Sequence, residues 1–249
     1  MISLTTGTTL AAEGQAVCVG CLALPKDTLV TNVQTTRNAV ANSLAPQILY
    51  ERMEYLGIDR ACRNFSGPTE YGPIGKYMMK SMTPEKYPSM FEGTPDIKEN
   101  CPAWDSFTDE DKKSFYVYVF AHFSFAESSC RPNAIAPGLR KGDYAAGLYG
   151  LHKNREDYYT RPKRYLNKCL KGDSSNGLNS TRCTLALVEG QMSGRDALFT
   201  PSAHFEPLTG TSPRHLKMQI LRSNGATRYA EVPLKTFIKT SIQKYPLCK

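Results

Sequence analysis

The apolar positions of this chain gather into a few helical patterns separated by turns that Pro and Gly mark. The plainest pattern runs from Thr108 to Ser129. Thr108 is a good N-cap, and Asp109, Glu110 and Asp111 load the first turn with the sign the helix dipole favours. Asp111 stands at the capping-box position. The body then reads Phe115-Tyr116-Val117-Tyr118-Val119-Phe120-Ala121-His122-Phe123. At about 100° per residue, Tyr116, Phe120, Phe123 and Glu127 fall within roughly 60° of one another, so Glu127 continues an aromatic stripe.

Weaker patterns fill in the rest. They predict a short helix around Ile74 to Met82, a helical segment over Cys183 to Met192 and a closing helix over Lys235 to Gln243. Leu216–Leu221 and Tyr229–Leu234 flank Asn224-Gly225 and predict a hairpin. Asn32 to Gly57 carries a helix-like run with Pro46 in its first turn. Pro137-Gly138 and Lys141-Gly142-Asp143 mark a loop or small hairpin that should face Glu127. Residues 1–30 read as an extended N-terminal arm and 31–249 as a single domain with elaborations. Pattern alone therefore gives an α-rich chain with a minor β element.

Composition changes that picture in one respect. Hydrophobic residues make up 41% and charged residues 22% of 249, the balance of a globular chain rather than a disordered one. No apolar run approaches the roughly 20 residues of a membrane span. Met1 to Gln15 has neither the basic start nor the apolar stretch of a signal peptide. The eight cysteines, however, are dispersed from Cys18 to Cys248, and an even, scattered set suits disulfides formed in an oxidising compartment. That favours a secreted or periplasmic protein. Cys18-Val19-Gly20-Cys21 could be a redox pair or half a zinc site, but no second such pair or His pair completes it, so neither metal nor cofactor is expected.

The net charge of +8 is clustered, with seven Lys or Arg from His152 to Lys171 and eight from Arg214 to Lys249. An anionic polymer is the natural partner, although a solvated surface explains any single one of these residues as well. Nucleic acid would use the same clusters with Tyr158, Tyr159 and Tyr165 between them, but no nucleic-acid motif accompanies them. A Cys-His nucleophile would need a reactive thiol near His122, His152, His204 or His215, which an even, dispersed cysteine set disfavours.

Glu127 is the chief candidate for chemistry. A carboxyl at the end of an apolar helix is either a satisfied core acid or a general acid whose affinity for its proton is raised by desolvation. Around it the sequence reads Glu127-Ser128-Ser129-Cys130-Arg131-Pro132-Asn133-Ala134, followed by Ala145-Ala146-Gly147-Leu148-Tyr149-Gly150. Both blocks resemble the signature of the lysozyme-like superfamily, in the form found in soluble lytic transglycosylases: Glu-Ser-x-Phe-x-Pro-x-Ala, then Gly-Ala-x-Gly-Leu-Met-Gln. The likeness covers about residues 120–150. The Phe-Ala-x-Phe-Ser-x-Ala-Glu-Ser-Ser-Cys form is also similar to lysozymes of predatory bacteria that act on N-deacetylated walls.

The resemblance implies a mainly α (α+β) lysozyme-like fold, disulfide-stabilised, with a small β element at a cleft. It implies a peptidoglycan glycosidase that cleaves the β-1,4 bond between N-acetylmuramic acid and glucosamine, the latter either N-acetylated or deacetylated. Glu127 would be the acid. The alternatives are a lytic transglycosylase forming 1,6-anhydromuramyl products and a non-catalytic wall-binding protein. Asp143, the one acid between Glu127 and Glu156, would be the second carboxylate if there is one, against a plain turn role in Lys-Gly-Asp. Ser128, Tyr144, Gly147, Leu148, Tyr149 and His204 are the candidate substrate contacts, and Glu206 beside His204 is a weaker one. The partner would be peptidoglycan glycan strands, bound by a monomer, with no nucleic acid and no membrane span.

Three departures accompany the likeness. Cys130 replaces an aromatic, which fits a disulfide tying down the helix end. Ile135 to Tyr144 is longer than the usual connection, and Gly150 stands where the family has Gln.

Overall fold

A computed structural model describes residues 60–137, 142–153, 155, 156, 159, 168–221 and 227–248. The N-terminal arm, the Asn32–Gly57 run, Cys18 and Cys21 lie outside them. The described chain is a mainly helical α+β structure with two small antiparallel sheets and three disulfides. A 3₁₀ turn at Arg60–Asn64 leads to α1 (Pro73–Ser81), α2 (Pro88–Glu92) and α3 (Pro95–Asn100). Each of these helices opens on a Pro, whose missing N–H is no loss in a first turn.

The long helix α4 (Asp109–Ser128) forms the centre. Its capping box is reciprocal: the Thr108 N–H donates to Asp111 Oδ2 at 3.0 Å, and the Asp111 N–H donates to Thr108 Oγ1 at 3.2 Å. The aromatic stripe turns out to be only part of what is buried. Every residue from Ser114 to Ser124 is buried, so α4 is wrapped on all sides, as a core helix must be when it is apolar all round. Trp104 closes its N-terminal end, edge-on to Phe115 at 5.0 Å and Tyr116 at 5.9 Å, and donates from Nε1 to Glu92 O at 3.0 Å.

After α4 comes a three-stranded meander: β1 (Ile135–Pro137), β2 (Tyr144–Ala146) and β3 (Leu151–His152). Ile135 pairs with Ala146 and Pro137 with Tyr144, which is the hairpin the turn residues predict. The second long helix, α5 (Gly177–Arg195), extends well before the predicted Cys183. Its first turns are polar in sequence yet buried: Ser180 Oγ and Thr181 Oγ1 both donate back to Gly177 O, and so need no water.

The predicted hairpin is β4 (His215–Leu221) with β5 (Thr227–Pro233), and the closing helix is α6 (Leu234–Gln243). Leu234, Phe237, Ile238 and Ile242 bury one face of α6 at the spacing of helical turns.

Disulfides fix the periphery to this core. Cys101–Cys248 ties the C-terminal turn to the end of α3, and Cys169–Cys183 ties the segment before α5 to α5 itself. Cys62–Cys130 joins the first 3₁₀ turn to the residue pair that follows α4. All six described cysteines are bonded, which points to an extracytoplasmic protein. Among the described residues no helix is long and apolar enough to cross a membrane.

Candidate functional site

The end of α4 is built under constraint. Ser129 and Cys130 follow in left-handed conformation (φ 53° and 58°), a region that a side-chain-bearing residue enters at a cost of about 1–2 kcal/mol. Two bonds stabilise the reversal: the Ser129 N–H donates to Phe125 O at 2.9 Å and the Cys130 N–H to Ser124 O at 3.1 Å. The Cys62–Cys130 bridge then pins it. A strained stop of this kind fixes the direction of the last side chains of the helix, Glu127 among them.

Ser128 ties the helix end to the second sequence block. Its Oγ lies within donating distance of Leu148 O at 2.9 Å and Ser124 O at 3.0 Å. The turn 147–150 therefore docks directly on α4, and the two blocks that carry the family resemblance meet in space. Two glycines make the docking possible. Gly147 has φ 73°, and a Cβ there would lie 2.0 Å from Ser174 O. Gly150 has φ 61°, and its Cβ would come within 3.0 Å of Glu127 Oε2. The acid thus rests against a bare backbone.

The Glu127 carboxyl is mostly desolvated, and no described residue donates a hydrogen bond to it. Burial is the main reason its pKa is raised to about 7, with Arg214 lowering it and Glu206 raising it further. Phe123, one turn back, forms the apolar wall with Tyr149 at 5.4 Å and Phe205 at 4.7 Å. An unbonded, partly buried carboxyl with a proton available near neutrality is what general acid catalysis requires.

The remaining predicted residues are placed as follows. Asp143 precedes β2 and is paired with Arg155 at 2.7 Å, its side chain largely covered. Tyr144 is exposed (49%) on β2. Strand alternation sets it opposite Ala145, whose Cβ is 3.8 Å from the position a Gly150 Cβ would take. Leu148 and Tyr149 are fully buried, and the Tyr149 hydroxyl meets Thr181 Oγ1 at 3.2 Å, so both side chains are core rather than open to a ligand. His204 is at the surface with its ring edge-on to Tyr159 at 4.6 Å and to Phe205 at 5.0 Å. Partial covering of the ring, and then the charge of His152, lower its pKa and favour the neutral imidazole.

One feature escaped the sequence reading, and a second entered it only as a weaker candidate. Glu156 is given no role there, yet it is fully buried. It accepts from Gly172 N at 3.0 Å, Ser174 N at 3.2 Å and Ser174 Oγ at 2.5 Å. Burial alone would raise its pKa, but these donors together lower it and hold the carboxylate ionised. It thereby braces Ser174, the residue whose carbonyl abuts Gly147. The second feature is Glu206, which accepts from Ser212 Oγ at 2.5 Å and is paired with Arg214.

Among the described residues no cluster of His, Cys, Asp and Glu is arranged to hold a metal ion. No family model, no curated protein and no solved structure matches the chain.

Proposed function

We propose that this chain is a secreted or periplasmic peptidoglycan glycosidase with a lysozyme-like catalytic fold, acting on the β-1,4 bond between N-acetylmuramic acid and glucosamine. The observation that carries the reading is the Glu127 carboxyl, rigidly mounted, without a donor among the described residues, and raised by burial to about 7. The resemblance of the Glu127–Ala134 and Ala145–Gly150 blocks to the lysozyme-like signature supplies the substrate class. The basic excess suits a wall polymer that carries carboxylates.

In this reading Glu127 gives its proton to the glycosidic oxygen as the bond from that oxygen to C1 breaks. An oxocarbenium-like centre is left on the muramyl sugar. The Glu127 carboxylate then accepts a proton from the incoming nucleophile, which closes the cycle and restores the acid. The nucleophile is water in a hydrolase and the muramyl C6 hydroxyl in a lytic transglycosylase. The second mechanism draws support from the Asp143–Arg155 pair, which engages the carboxylate that hydrolysis would recruit.

Mass analysis of products from intact and N-deacetylated sacculi tests both halves of the proposal. Muropeptides ending in reducing muramyl sugars identify hydrolysis. Products lighter by one water carry the anhydro ring and identify transglycosylation. No release of muropeptides from either substrate would leave a wall-binding role on the same fold.

A further inference from the structure

We propose that Glu206 and Arg214, locked together beside the end of α4, form a charge pair that sets when Glu127 carries its proton, with both acting as positioning residues for the acid. The proposal rests on Glu127 being the acid of the site.

The pair is built, not incidental. Ser212 Oγ holds one Glu206 oxygen and Arg214 holds the other. The Arg214 N–H donates back to Ser212 Oγ at 3.1 Å, and Leu234 N–H donates to Arg214 O at 2.9 Å, which fixes the entry to β4 against the start of α6. Phe205 brings the assembly to the helix: its ring is edge-on to Phe123 at 4.7 Å, one turn before Glu127. Stability is a poor explanation for such an arrangement. The Arg214 and Glu206 side chains are 57% and 36% exposed, and exposed pairs contribute only about 0–1 kcal/mol.

Position explains it better. A carboxylate near Glu127 opposes a second negative charge there, while the guanidinium favours one, and held together the two nearly cancel. Other ionisable groups lie on the neighbouring elements. Arg131 follows on the chain beyond α4; Asp143 with Arg155, and His152 with Tyr159, come from the meander; His204 flanks Phe205. Asp143 is likewise paired with Arg155, whereas Arg214 and Glu206 are the charges that act on Glu127 itself, so a single substitution in the 206–214 pair unbalances the field at the acid.

That makes a signed prediction which a merely structural pair would not give. Glu206→Gln leaves Arg214 unopposed and should lower the midpoint at which Glu127 titrates. Arg214→Gln leaves Glu206 unopposed and should raise it. The midpoint is read directly in the full chain by ¹³C NMR of labelled Glu carboxyls, with the Glu127 signal assigned by its loss in Glu127→Gln. The expected shifts are on the order of half a pH unit each, in opposite directions, as a partly exposed charge nearby should produce. The double variant should return close to the wild-type midpoint, and it also serves if either single variant folds poorly.

Shifts of the same sign, or no shift in either variant, would overturn the proposal. The alkaline limb of wall degradation should follow the NMR midpoints. If the midpoints split as described while Glu127→Gln stays active, the charge pair stands and the acid reading falls.

Discussion

His122 and Glu127 sit five residues apart on the same helix, and burial acts on both in the same sense, toward the neutral form. It lowers the His122 pKa to about 4 and raises that of Glu127 to about 7. Their surroundings then diverge. His122 lies fully inside, its ring 4.1 Å from Tyr118 and 5.7 Å from Phe237 on α6, and its Nδ1–H donates to Tyr118 O at 2.8 Å. Its Nε2 is buried with no hydrogen-bond partner among the described residues. Glu127 is only partly covered, faces the glycine turn 147–150, and is followed at once by two left-handed residues and a disulfide. A displaced pKa alone does not single out a functional group. Solvent access, a fixed direction and nearby charges do, and those belong to Glu127.

Removing the apolar wall should have the largest effect on stability. Phe123→Ala takes away the ring that both Tyr149 and Phe205 contact, and should cost about 3–5 kcal/mol in denaturant unfolding. It should also admit water to Glu127 and lower its NMR midpoint, while leaving that of His122, on another face of the helix, unchanged.

Stability against pH should separate the two groups by sign. His122 binds its proton more weakly folded than unfolded, so its contribution is complete above about pH 6.5 and is lost as pH falls toward 4. The loss amounts to about 3 kcal/mol. His122→Phe should abolish that acid limb. Glu127 binds its proton more tightly folded than unfolded, so it destabilises the fold as pH rises from about 4.3 through 7. Glu127→Gln should therefore leave stability at about pH 3.5 nearly unchanged and increase it at pH 8, by no more than about 4 kcal/mol. Matching limbs in wild type and variant would break the comparison.

A smaller effect is expected at the glycine turn. Gly150→Ala places a methyl group 3.0 Å from Glu127 Oε2 at φ 61°. Stability should fall by about 1–2 kcal/mol. Wall degradation should fall by roughly tenfold as the carboxyl is displaced, a loss that misplacement of a reacting group explains. Gly172, also at positive φ but with nothing near its Cβ, should show the stability cost alone when replaced by Ala.

Local chemistry made much of this legible in the sequence. Thr108 and Asp111 announce the start of α4, Asn224-Gly225 announces the β4–β5 hairpin, and the aromatic stripe leads to Glu127. What was hidden depends on contacts distant in sequence or on polar residues satisfied internally. Ser180 and Thr181 look like loop residues, but their hydroxyls bond back to Gly177 and let α5 begin early. Glu156 looks like a surface charge, because its donors come from residues 172 and 174. Glu206 gains its place through Phe205 meeting Phe123, an encounter no local pattern records. Tyr149 has the composition of a sugar contact, and only the fold reveals it as core.

The most direct test of the account is the activity of Glu127→Gln on sacculi at neutral pH, with folding checked by a cooperative unfolding transition no less stable than that of wild type. The account predicts a fall of about a hundredfold or more, the size expected when a general acid is lost. Retention of more than about a tenth of the activity would contradict it, because the best positioned proton donor of the site would then not be the one the reaction uses.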